Sequence, residues 1–213
     1  VTGRHKIIAR YRSYHGATNG AVTLTGDPRR WAVEPGMPGV VRVMDPQPYH
    51  YSFGKTEDEI TANNLRYVEE VIMYEGPQNV AAVIMETVTG TNGVIVPPPG
   101  YLKSIREVCD RHGILLICDE VMAGLGRTGA WFAVDHWHVV PDLITMAKGL
   151  TSAYIPLGAV GMRRAIAGDF EPPGEPAPVD VRPRLGLVAV HLDHLGLDVL
   201  REQHARRVAR DEH

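Results

Sequence analysis

The sequence predicts an α/β fold, a mostly parallel sheet with crossover helices. Three observations predict it. Short apolar, β-branched runs recur as KIIARY, VVRV, AAVIME, ILLICDE, LITMAK and LGAVGM. The stretches between the second, third and fourth of them have helical rather than alternating periodicity. Those helical stretches carry start and stop signals, so consecutive strands are linked as strand–helix–strand units, which makes the strands parallel.

Taken in order, KIIARY is the first strand and leads into RYRSYHGAT, where tyrosine and histidine precede a glycine. After VVRV, the segment TEDEITANNLRYVEEVIMYEG places Ile60, Tyr67, Val68, Val71 and Ile72 at helical spacing behind an acidic first turn. Gly76-Pro77 stops it. AAVIME is a buried strand that enters the glycine-containing loop TVTGTNG. The next crossover, PPPGYLKSIREVCDRHG, opens on prolines, aligns Leu102, Ile105, Val108 and Cys109 on one face, and stops at Gly113. ILLICDE and LITMAK follow as inner strands. Beyond Met162, DFEPPGEPAPVDVRPR is too rich in proline and charge for a buried strand. The final GLDVLREQHARRVARDEH has only a thin apolar stripe for a solvated helix.

Composition narrows the function classes. The 213 residues suffice for one domain or somewhat more, and 44% hydrophobic content supports a packed core. A net charge of −3 supplies no basic field, so no nucleic-acid partner is expected. No apolar run spans a bilayer and the first residues lack a signal-peptide layout, so the expectation is a cytoplasmic protein without a membrane partner. Cys109 and Cys118 lie in apolar surroundings that suit reduced core thiols, and no metal-ligand set accompanies them.

The chain has four lysines, Lys6, Lys55, Lys103 and Lys148, and only Lys148 follows an inner apolar strand. The carboxyl edge of an open α/β sheet is where ligands bind, and desolvation there activates an amine. By position alone the better reading of Lys148 is a strand-end lysine reaching water. The strand ILLICDE delivers Asp119 to the same edge, and a buried carboxylate requires a cation. Pyridoxal 5′-phosphate supplies one at its ring nitrogen, which an ionised aspartate keeps protonated. A helix cap or a metal-binding pair with Glu120 is the other use for Asp119. Tyr14 and His15 could stack on a flat aromatic ligand, or pack in the core. Glu86 ends a buried strand at a glycine-containing loop, a placement typical of functional loops, though a solvated carboxylate is the alternative.

Together, and in this order, SYHGAT, METVTGTNGVIVPPPGY, ICDEVMAGLGRTGAWFA and PDLITMAKGLTSAYIPLGAV resemble the class III aminotransferases of pyridoxal-phosphate fold type I. The resemblance implies that Lys148 is the Schiff-base lysine and Asp119 the partner of the pyridinium nitrogen. It further implies that Val121 packs on one ring face, Tyr14 stacks on the other, His15 supports the site and Glu86 lies near the ring substituents. Ornithine-type members usually carry glutamine three residues after the aspartate, where this chain has Met122. That difference resembles the branch that moves an ω-amine, a β-amino acid or taurine nitrogen to a keto acid such as pyruvate. The implied partners are a small-molecule amine donor, a keto-acid acceptor and a second subunit, since full-length members are homodimers.

The resemblance covers residues 1–162, a partial pyridoxal-phosphate-binding large domain, and leaves 163–213 as a divergent Pro/Arg-rich tail expected to be poorly ordered. Family members carry a phosphate-binding Gly-Ser/Ala-Glu-Ala segment before the SYHG motif and a C-terminal small domain after the lysine. Neither is recognisable here, so the expectation is an incomplete fold with doubtful turnover and weak cofactor retention. The arginine, proline, alanine and valine bias of the tail also fits a shifted reading frame, a truncation or a genuine divergent end. Two functional alternatives stay open: an aminomutase or lyase on the same scaffold, and a non-catalytic remnant that pairs with a longer subunit.

Overall fold

The computed structural model describes residues 1–47 and 53–170, together with the backbone of 181–182 and 187–192. Strands β1 (Lys6–Arg10), β2 (Val40–Val43), β3 (Val80–Glu86), β4 (Leu115–Asp119), β5 (Leu143–Met146) and β6 (Gly158–Arg163) join one sheet. Two further strands, β7 (Val181–Arg182) and β8 (Leu187–Leu192), extend it in the order β2-β1-β3-β4-β5-β6-β8-β7. The strands from β2 through β5 are mutually parallel. β6 runs antiparallel to β5, so the sheet is mixed on that side. Among the described residues of the proline-rich segment, Val181–Arg182 form β7, a two-residue strand at the sheet's end. The helix expected over 196–213 lies outside the described residues.

Both crossover helices form for the reasons legible in their sequences. Helix α2 (Glu57–Glu75), which follows the short helix α1 (Asn19–Leu24), starts where the Thr56 hydroxyl accepts the Glu59 N–H at 3.2 Å. Glu57, Asp58 and Glu59 occupy its positive end. Helix α3 (Tyr101–His112) stops at Gly113, whose φ of 59° is the left-handed conformation that releases the chain into β4. Tyr101, Leu102, Ile105, Val108 and Cys109 form its buried stripe. Each large apolar member contributes about 2 kcal/mol by burial.

The buried face of α2 differs from the sequence expectation at three residues. Ile60, Asn64, Val68 and Ile72 are buried, while Tyr67 and Val71 sit at its margin. Asn64 is tolerated because its amide donates to the Met44 carbonyl (3.1 Å) and its oxygen accepts the Tyr101 hydroxyl (2.7 Å). A polar residue satisfied in this way pins α2 to α3 and to the segment after β2.

Two buried acidic residues lock the loops at the carboxyl edge. Glu120, fully buried, accepts the Thr87 hydroxyl (2.7 Å) and the Ala133 and Val134 N–H groups (both 2.9 Å). It therefore holds the amino end of the 3-10 turn Ala133–Trp137 against the end of β3. Burial pushes its carboxyl up, against the pull of those three donors. Asp45 pairs with Arg10 at 3.1 Å, both nearly inaccessible, and the Arg10 guanidinium also donates to the Glu86 carbonyl (2.7 Å) and the Thr89 hydroxyl (3.0 Å).

Among the described residues no helix is long and apolar enough to cross a membrane, and no three His, Cys, Asp or Glu side chains gather to hold a metal. The two cysteines are free and buried. Burial pushes the Cys109 thiol from its ordinary 9.0 up to about 12, and Cys118 likewise upward. The folded state then keeps protons that the unfolded chain loses, so stability is intact below pH 9 and falls as pH rises toward 12. Denaturant titrations should show a loss of about 1.4 kcal/mol per pH unit for each thiol above pH 9, and Cys109→Ala should flatten that slope. Glu120→Ala should cost about 3 kcal/mol in the same assay, because three buried donors lose their acceptor. A cost near zero would refute its bracing role.

Candidate active site

Parallel pairing brings the carboxyl ends of β1, β3, β4 and β5 to one edge of the sheet. The register sets Glu86 opposite Asp119 and Asp119 opposite Thr145. Two carboxylates thus end adjacent strands, 3% and 4% exposed. Buried side by side, they would be costly without donors.

The segment after β1 supplies the donors. The Ser13 hydroxyl donates to the Arg10 carbonyl at 2.7 Å, turning the chain back over the strand ends. Tyr14 then donates its N–H to Glu86 Oε1 (2.9 Å), while His15 Nδ1 meets Asp119 Oδ2 (2.7 Å). Successive residues therefore serve the two carboxylates. The second oxygens are used by the local backbone: Glu86 Oε2 accepts the Gly90 N–H (2.8 Å), and Asp119 Oδ1 accepts the Val121 N–H (3.0 Å). The Thr25 hydroxyl accepts the His15 N–H at 2.9 Å and so fixes the backbone from which the imidazole projects.

All six residues singled out from the sequence, Tyr14, His15, Glu86, Asp119, Val121 and Lys148, line one cavity of ≈ 220 Å³. Gly16, Thr91, Met122 and Ala147 complete its wall. Lys148 lies two residues beyond β5, on a 3-10 turn that spans Lys148–Leu150, rather than in the strand itself. Its φ of 44° is in the left-handed region, rare for a side chain of this size. Its carbonyl accepts the N–H groups of Thr151 and Ala153, both at 3.3 Å, which holds the turn. Lys148 is exposed, as are Ser152 to Pro156 beside it. The burial expected around this lysine is therefore not found among the described residues.

Several neighbours of the cavity carried no sequence signal of their own. Thr91 belongs to an ordinary glycine-containing loop. Gly90 is required by close approach: a Cβ there would stand 2.7 Å from Met122 Cγ. Arg29 lies over the Tyr14 ring, 3.7 Å from its centroid. The Asp27-Pro28-Arg29 order does suggest a capped turn, and Asp27 does accept the Arg29 N–H (2.9 Å), but nothing in that order points toward Tyr14.

The cavity suits a flat, cationic ring with an aldehyde. Among the described residues, Asp119 has no lysine or arginine ion pair; its side-chain partner is His15. A protonated ring nitrogen would complete the charge balance of this buried carboxylate. His15 Nε2 is buried without a partner, a second polar atom that a bound group could satisfy. Lys148 supplies an amine on the same wall. These residues fit pyridoxal 5′-phosphate.

Comparison with known proteins agrees. The sequence model of the family described as aminotransferase class-III matches residues 1–178, which extends past residue 162 into the proline-rich segment. The chain is 41% identical over 175 residues to a taurine–pyruvate aminotransferase of Bilophila wadsworthia, covering 82% of this chain but 38% of the relative. It is 51% identical to a taurine:2-oxoglutarate aminotransferase from Bifidobacterium kashiwanohense solved with pyridoxal 5′-phosphate and glutamate. That superposition has a TM-score of 0.71 and covers 74% of this chain and 36% of the other. An (S)-enantioselective omega-transaminase from Thermomicrobium roseum gives 43% identity and a TM-score of 0.74, over 78% of this chain and 37% of the other. The chain thus spans less than half the length of each, and what it spans is part of the large-domain sheet of fold type I. On its motifs, its sheet and these relatives, the chain belongs to the class III aminotransferases, a family of pyridoxal-phosphate-dependent transaminases.

Proposed function

We propose that this chain forms part of a transaminase that moves the nitrogen of an ω-amine, a β-amino acid or taurine to a keto acid such as pyruvate. The observation that carries it is the convergence of Lys148 and the otherwise cation-free Asp119 on one cavity wall. Support for the substrate class comes from relatives described as taurine–pyruvate and omega-aminotransferases. Met122 adds to it by giving the cavity an apolar wall where a glutamine would be polar.

Bound in the cavity, pyridoxal 5′-phosphate supplies an aldehyde for the amine of Lys148 and an electron sink for the substrate carbon. Asp119, held by His15 and the Val121 N–H, keeps a proton on the ring nitrogen. Val121 and Tyr14, both on the cavity wall, would hold the ring by apolar contact, and Glu86 braces the loop that carries Thr91. Lys148, on the wall of the same cavity, would hold the cofactor through its amine and would be the group placed to move a proton at the substrate carbon. The exposed Trp31, Met37, Tyr154 and Ile155 are apolar surface consistent with a homodimer, in which a second subunit would cover Lys148.

Borohydride reduction of the chain with pyridoxal 5′-phosphate should add one pyridoxyl group, located on Lys148 by peptide mass mapping and absent from Lys148→Ala. Labelling spread over Lys6, Lys55 and Lys103 would sink the assignment. Amine transfer from taurine, β-alanine or a diamine to pyruvate, followed as alanine formed, separates this function from aminomutase or lyase activity. Asp119→Asn should lower transfer by about 100-fold or more by removing the charge opposite the ring nitrogen. Gly90→Ala should weaken cofactor binding by driving Met122 into the cavity, and the added Met122→Ala should restore it.

A further inference from the structure

Tyr14 is fixed at two points, and only one belongs to the strand-end machinery. Its backbone N–H is held by Glu86. Its ring lies under the Arg29 guanidinium at 3.7 Å, within cation–π range. Arg29 is itself held in place. Its Nε lies 3.0 and 2.9 Å from the two oxygens of Asp27, with a further close contact from one terminal nitrogen to Asp27 Oδ2. The same terminal nitrogen donates to the Thr91 hydroxyl at 2.9 Å. Asp27 is nearly inaccessible, caps the turn that starts at Pro28 and accepts the Asn92 amide at 3.3 Å. The planar guanidinium is thus locked between the 27–29 turn and the 91–92 loop, parallel functions of a fork that a lysine could not perform.

We propose that Arg29 is a positioning residue that sets the plane of the Tyr14 ring on the cavity wall, so that one face is covered and the other is presented to a flat aromatic ligand. The inference rests on the cofactor assignment above for the identity of that ligand. An aromatic side chain free to rotate about χ1 and χ2 loses rotational freedom when a ring stacks on it. A ring already clamped from behind has given up that freedom on folding, which favours binding. Because Asp27 and Thr91 hold Arg29, the preorganisation also couples Tyr14 to the loop that carries Thr91, another residue of the cavity wall.

The test uses the full chain carrying 3-fluorotyrosine, with the Tyr14 signal assigned by Tyr14→Phe. Arg29→Met should shift the ¹⁹F resonance of Tyr14 in the absence of any cofactor. It should also weaken pyridoxal 5′-phosphate binding by equilibrium dialysis about fivefold, whereas in a Tyr14→Ala background the same substitution should change binding less than about twofold. An unmoved Tyr14 resonance overturns the proposal, as does an equal loss in the Tyr14→Ala background, which would mean that Arg29 acts through the general stability of the turn. If the unsubstituted chain binds no pyridoxal 5′-phosphate, the cofactor assignment fails for this chain, and the Tyr14 resonance alone decides whether Arg29 sets the ring.

Discussion

Two carboxylates end adjacent parallel strands in register, and the arrangement of this site follows from how they are satisfied. Glu86 and Asp119 are pairing partners at the carboxyl edge of the sheet, both almost inaccessible. Like charges so placed repel, and each loses hydration. Tyr14 and His15 relieve both at once, one through its backbone N–H and the other through its ring. That demand draws the segment after β1 across the strand ends and makes it the wall of a cavity. The loops after β3 and β4 fold back for the same reason, since Gly90 and Val121 give the remaining N–H groups.

The neighbouring buried acids show how differently the same side chain can be used. Glu120, one residue from Asp119, accepts three donors that stitch the β4 loop to β3, and it is not among the residues that line the cavity beside Asp119. Asp45 is paired with Arg10, which in turn anchors the end of β3 through the Glu86 carbonyl. Asp119 alone of these has a histidine and a single backbone N–H as its partners, within reach of the cavity. A carboxylate left short of cationic partners is the one equipped to receive a cation from a ligand. Chemical identity does not separate these acids; their supply of partners does.

Lys148 marks the opposite condition. Its amine belongs to the cavity wall, but the turn that carries it is exposed along Ser152 to Pro156. The backbone of Lys148 has a left-handed φ, and its carbonyl accepts the Thr151 and Ala153 N–H groups. A non-glycine residue in that conformation costs of order 1 kcal/mol and persists where the surroundings require it. The turn leaves Lys148 on the wall of the cavity that Asp119 and Val121 also line.

The sequence alone determined the strand order along the chain, the two crossover helices with their stop signals, and the family, because each rests on short-range pattern. Ile105, Val108 and Gly113 announce α3 through period and stop signal, and the SYHGAT and ICDE motifs announce the family. Lys148 and Asp119 were singled out for a related reason: Asp119 ends an apolar inner strand and Lys148 stands two residues beyond another, which puts both near the carboxyl edge of the sheet. Other features depend on distance along the chain and were decided only by tertiary structure. Asn64 sits on a buried stripe because Met44 and Tyr101 happen to satisfy it. Arg29 covers Tyr14 because Asp27 and Thr91, 64 residues apart in number, close around it. The exposure of Lys148 was likewise invisible, since periodicity reports which face of a strand is apolar and not what covers its end.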